Sequence, residues 1–231
     1  MAFASPAFAA ISQTQFQHLY AGNSLAYGSA NTAGCLLIAK TSQSGNTNIT
    51  ISDTNGNTWV ALPQLNFQSN TDAMRLFYVL SANAGANTVS VFGGSDQGIT
   101  IAEYCEAGST WQVDASLTNG SSFDGSTTGA TTSPRTNAWS TSGSNDVIFM
   151  SYADENNTQA THTTSPAGFV EQQWDNSHVD GDAVWLNASA QTSIQSGWDV
   201  STSMSTYGLY VAAFTATGSA TPTNGTMLTF E

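Results

Sequence analysis

The side chains able to do chemistry are few and scattered. Three histidines stand at His18, His162 and His178, and no Gly-x-Ser-x-Gly elbow accompanies them. Serine hydrolysis needs a nucleophile, a base and an orienting acid that meet in space. The one local cluster is Ser177-His178 with Asp180 and Asp182 close behind. Clusters of that kind are ordinary in polar loops. Paired acids would point to glycoside hydrolysis, with Glu103, Glu155 and Glu171 as the candidates. Spacing assembles no specific pair from them, and Glu171 alternates with Val170 and Gln172 as a solvent-facing residue does. No catalytic residue emerges, so the chain is read as non-enzymatic and without a cofactor.

Binding chemistry has more material. Asp53-x-Asn55-Gly56-Asn57 places oxygen ligands at alternate positions, like half of an EF-hand loop, but the distal Glu is missing. The same residues make a good hairpin turn. Asp175, Asn176, Asp180 and Asp182 read as a second acidic loop. Neither loop is assigned a metal. Cys35 and Cys105 both lie on apolar strand-like segments and allow one disulfide. Their spacing leaves open whether they pair, because a free buried Cys packs as a small hydrophobe. Six tryptophans invite a sugar-binding reading, since an indole face stacks on a pyranose ring. The densest aromatic region runs from Trp174 to Trp198. Trp185 and Trp198 are the best candidates there for exposure and ligand binding, while Trp59 and Phe169 are expected in the core. Core filling is the competing reading for all six.

The elements that position these residues follow from composition and periodicity. Of 231 residues only 8% are charged, against the ~25% usual in soluble proteins. The cations are Lys40, Arg75 and Arg135, set against 16 acids for a formal charge of −13. Three cations cannot neutralise a row of phosphates, which excludes a nucleic-acid partner. An anionic membrane surface is disfavoured for the same reason. A hydrophobic content of 40% with eleven Phe is enough to build a core.

Apolar residues recur with period two. Ile49 and Ile51 alternate with Thr and Ser, and Met74, Leu76, Tyr78 and Leu80 line one face of a strand. Val89 with Val91, Ile99 with Ile101, and Tyr207, Leu209, Val211 and Ala213 do the same. Such alternation bounded by Gly, Asn and Asp reads as β-strand. Leu36-Leu37-Ile38 and Val147-Ile148-Phe149-Met150 are apolar on both sides and read as central strands. The fold class expected is all-β, an antiparallel two-sheet β-sandwich of jelly-roll-like form.

Shifting the chain against itself by 110 positions aligns four strands without a net insertion. Leu37-Ile38 falls on Val147-Ile148, and Trp59-Val60 on Phe169-Val170. Asp72 to Leu76 falls on Asp182 to Leu186, and Gly98 to Ala102 on Gly208 to Ala212. The reading is a single β-sandwich domain over 1–216, built of two similar halves at about 10–118 and 119–216, followed by a linker and C-terminal arm over 217–231. The repeat isolates Glu103, which shares a strand face with Ile99 and Ile101 while its mate is Ala213. An inward carboxylate must be paired or hydrogen-bonded. Arg75 is the candidate partner, and a strand that changes face after Ile101 would instead leave Glu103 solvated.

The two ends read as arms. Met1 to Ile11 is apolar, but it lacks a basic leader and room for a signal-peptide core. Thr215 to Gly225 has linker composition, and Met227-Leu228-Thr229-Phe230 closes the chain as a short apolar piece suited to adding to a sheet edge.

Two stretches carry a resemblance. One is Ala33-Gly34-Cys35-Leu36-Leu37-Ile38-Ala39 followed by Asn48 to Trp59. The other is Ala84 to Val91 followed by Ile101-Ala102-Glu103-Tyr104. Together they resemble a β-sandwich module of bacteriophage virion proteins and secreted bacterial proteins, over most of residues 10 to 216. Cys35 and Cys105 stand where other members usually have Asn or Ser. The resemblance implies a jelly-roll-like fold and a virion or extracellular location, and transfers no catalytic residue. The expectation is a structural protein of a phage particle, a capsid decoration or appendage subunit. Its partners would be copies of itself and other virion proteins, in a particle assembled in the host cytoplasm. The alternative is a carbohydrate-binding module that meets a surface glycan through Trp185 and Trp198.

Overall fold

The computed structural model describes residues 10–67, 71–114, 131–143, 145–154, 161–175, 180–202 and 207–218, and the backbone of 121–124. No helix is present among them. The first strands are β1 (Ser12–Leu19), β2 (Ser24–Ala26), β3 (Leu36–Ser44), β4 (Thr50–Asp53), β5 (Val60–Ala61) and β6 (Leu65–Phe67). Then come β7 (Asp72–Val79), β8 (Thr88–Phe92), β9 (Ser95–Cys105), β10 (Ser109–Val113), β11 (Ser121–Asp124) and β12 (Asp146–Ala153). The last are β13 (His162–Ser165), β14 (Val170–Asp175), β15 (Asp180–Ala188), β16 (Gly197–Val200) and β17 (Gly208–Gly218).

All strand pairs are antiparallel. One six-stranded sheet has the order β1-β9-β3-β7-β5, with β6 also on β7. The other has the order β10-β17-β12-β15-β14, with β11 also on β17. A three-stranded sheet, β2-β8-β4, and a two-stranded one, β13-β16, complete the set. Period two puts alternate residues on opposite faces, and three cores result. Leu36, Ile38, Met74 and Tyr104 from the first six-stranded sheet cluster with Val147, Phe149, Tyr210 and Phe214 from the second. On the far side of the first sheet, Leu37, Phe77, Ile99 and Ile101 pack with Val89 and Val91 of β8. On the far side of the second, Ile148, Met150, Tyr152 and Leu209 pack with Trp198 and Val200 of β16.

This layering explains the apolar runs. β3 and β12 are central in their sheets and have a core on each side, so a run without alternation is what they need. The Asp53–Asn57 turn has Gly56 at φ 68, a conformation that favours glycine. Cys35 and Cys105 are disulfide-bonded. The bond joins the start of β3 to the end of β9, where Leu36 already faces Tyr104 in the ladder.

Candidate functional site

The richest polar constellation lies inside the core shared by the two six-stranded sheets. On β3, Lys40 shares a face with Leu36 and Ile38, so alternation turns it inward. Its side chain is 0% exposed, and Nζ is in direct contact with Oδ1 of Asp180 on β15. Asp180 Oδ2 accepts from Ser42 at 3.4 Å. Asp182, two residues along the same face, accepts at Oδ2 from Thr100 Oγ1 at 2.6 Å and from Gln173 Nε2 at 2.9 Å. Its Oδ1 is buried with no hydrogen-bond partner. Burial pushes the Asp180 carboxyl up, with Asp182 adding to the effect and Lys40 opposing it.

His18 on β1 extends the group, with Nδ1 at 3.0 Å from Thr100 Oγ1. Thr100 spends its one proton on Asp182, so His18 Nδ1 is the donor in that contact. The order acid–hydroxyl–imidazole is therefore not that of a nucleophile triad. Thr100 donates to the acid instead of being deprotonated by a base. Beside this group a small cleft of about 50 Å³ is lined by Tyr20, Ser42, Asp72, Asp96, Asp154 and Asp180.

The other polar residues are engaged in holding loops and edges. Asp53 accepts from the Asn57 backbone, and its Oδ2 from Asn57 Nδ2, Trp59 Nε1 and Asn87 Nδ2. Four donors on one carboxylate make it the hub of its turn. Glu103 is 0% exposed, so the solvated alternative does not apply. Its partner is not Arg75. The carboxylate accepts from Thr14 Oγ1 at 2.9 Å, Gln15 Nε2 at 2.6 Å and the Thr32 backbone at 2.6 Å. Arg75 donates to the carbonyls of Leu62 and Ile49 and to Asn48. Arg135 pairs with Asp199 and donates to the Trp198 carbonyl. His162 meets Glu171 at 3.0 Å and stacks on Trp174 at 4.1 Å.

Two sequence expectations are corrected. Trp198 is 0% exposed, packed among Tyr152 and Trp174 beneath the β13-β16 pair, so its indole face is closed to a sugar. Trp185 is half-buried, edge-on to Phe169, with Gly168 against its ring. Asp180 and Asp182 belong to no acidic loop. They sit on β15 with the core, because they share the face of Val184. Glu155, Asn176, Ser177 and His178 lie outside the described residues, as does the arm beyond Gly218. Sequence reasoning missed Lys40. The signal was present, since alternation from Leu36 and Ile38 runs through it. Comparison with family models, with curated proteins and with solved structures finds no match.

Proposed function

We propose that the chain is a non-enzymatic structural subunit that assembles through its sheet edges, as a shell or appendage component of a phage particle. The observation that carries this reading is an exposed valine on each of two sheet edges. β5 ends the first six-stranded sheet and β14 the second, and they carry Val60 at 44% and Val170 at 64% exposure. Free strand edges are templates for pairing with another chain, and proteins that stay monomeric guard them, often with Lys. The one lysine of this chain is buried, and the three cations are spent on internal bonds.

The strand order supports the architecture behind this reading. With β5 and β6 staying beside β7 in the inner sheet, the chain alternates between inner and outer sheet: β1 inner, β2 outer, β3 inner, β4 outer, β7 inner, β8 outer and β9 inner. β12, β13, β15, β16 and β17 repeat that alternation, and Leu36 and Asp146, which open β3 and β12, stand 110 positions apart. We read this as two jelly-roll halves packed through their inner sheets. Jelly rolls serve in viral shells and in lectins alike, so placement in a virion rests on the motif resemblance and on the edges. The glycan alternative loses Trp198 as a stacking face.

The test is the mass in solution, by size-exclusion chromatography with light scattering. A closed oligomer or growing array is expected, and Val170→Lys should reduce it to monomer with an unchanged far-ultraviolet circular dichroism spectrum. A wild-type chain that is monomeric at every concentration would overturn the reading.

A further inference from the structure

We propose that Lys40 and Asp180 are the partners of an intramolecular amide cross-link: the lysine amine condenses with the aspartate carboxyl, one water leaves, and β3 is joined covalently to β15. Lys40 is the chain's single lysine, and it is used where solvent cannot reach it, with both side chains at most 3% exposed. The two residues are 140 positions apart and come from facing sheets, so only the assembled core brings Nζ to the carboxylate. In the ladder Lys40 stands between Thr100 and Leu76, an environment with little to solvate a charge.

Two charges withdrawn from water carry a desolvation penalty that their attraction need not recover. A neutral amide removes both charges at once. Holding amine and carboxyl in contact also supplies the effective concentration that the free reaction lacks. The protons balance within the pair and its neighbour. One passes from the ammonium to Asp180, giving a neutral amine and a carboxylic acid, the state that burial of Asp180 favours. The amine nitrogen bonds to Asp180 Cγ, and the second proton must move from nitrogen to the departing hydroxyl, which leaves as water. Asp182 is the positioning carboxylate for that transfer. It is close enough for its charge to act on Asp180, its Oδ2 is fixed by Thr100 and Gln173, and its Oδ1 is unengaged.

Intact-mass measurement on the reduced full-length protein tests this directly. The expected mass is one water below that of the sequence. After denaturation, a lysine-specific protease should fail to cut after Lys40, and fragmentation should return a branched peptide containing Lys40 and Asp180. Full mass with complete cleavage at Lys40 would overturn the cross-link. Asp180-Gly181 can also lose water by cyclising on its own backbone, so Lys40→Met is the control. Water loss that persists in Lys40→Met, with wild-type Lys40 still cleavable, overturns the proposal as well. Asp182→Asn should keep the full mass while remaining folded, and Asp182→Glu should restore the water loss. An Asp182→Asn chain that still loses the water removes Asp182 from the mechanism.

Discussion

The two six-stranded sheets are backed by different means. In the first, three strands, β2-β8-β4, cover a mainly aliphatic core, Ile49, Val79, Val89, Val91, Ile99 and Ile101, with Tyr27 and Phe77 among them. In the second, the β13-β16 pair and the segment 132–141, hydrogen-bonded antiparallel along residues 191–200, cover their sheet, and the core beneath holds Trp139, Tyr152, Trp198 and Tyr207. Each aromatic side chain of that second core buries about 150–250 Å². The first six-stranded sheet also carries a disulfide and the stitched carboxylate of Glu103. The positions 110 residues on from Cys35, Cys105 and Glu103 are Asn145, Thr215 and Ala213, which can do neither. A covalent clamp thus serves the first six-stranded sheet and aromatic bulk the second.

The comparison can be broken at its aromatic side first. Trp198→Ala should cost about 3–5 kcal/mol by urea denaturation, because it empties a fully buried indole site packed by Tyr152 and Trp174. A loss under about 1 kcal/mol would show that the aromatics fill space without holding the layer. On the covalent side, the paired substitution Cys35→Ser with Cys105→Ser opens a bridge of sequence separation 70. The chain-entropy account then gives about 4 kcal/mol, read from the same denaturation curve. If the loss is near zero, Glu103 and its three donors already fix that corner.

The smallest effect concerns the opening position of the two central strands, which differ in polarity. Leu36 opens β3 and Asp146 opens β12, both 0% exposed. Burial pushes the Asp146 carboxyl up to about 6 from its ordinary 3.8, with hydroxyls of Thr215 and Thr141 opposing the change. A raised value means that the fold prefers the protonated acid. The stability this provides is complete below about 3.8 and is lost as pH rises through about 6. Asp146→Asn should therefore flatten the stability profile between those limits, on the order of 2 kcal/mol, measured as midpoint against pH. An unchanged slope would assign the pH dependence elsewhere.

Much of the fold was legible in particular residues. Alternation at Met74-Leu76 and at Ile99-Ile101 marked strands and their faces, and the doubly apolar runs at Leu36 and Val147 marked the strands with a core on each side. The polar group inside the core was not legible as a group. Lys40, Thr100 and Asp180 are ordinary residues in their own segments, and only the facing of β3 and β9 against β15 gives them a common location. Trp198 misled for a related reason. The sequence around it is polar, and nothing local says that Tyr152 and Trp174 close over it.

The sequence by itself determined the secondary structure, the faces and the paucity of cations, because these depend on residue type and on a period of two. Tertiary structure alone decided what each inward polar residue meets. A carboxylate or an ammonium on a buried face requires a partner but does not name one. Glu103 found Thr14, Gln15 and Thr32 instead of Arg75, and Lys40 found an aspartate 140 residues away. Those choices depend on which sheet packs on which, a long-range arrangement that no local pattern encodes.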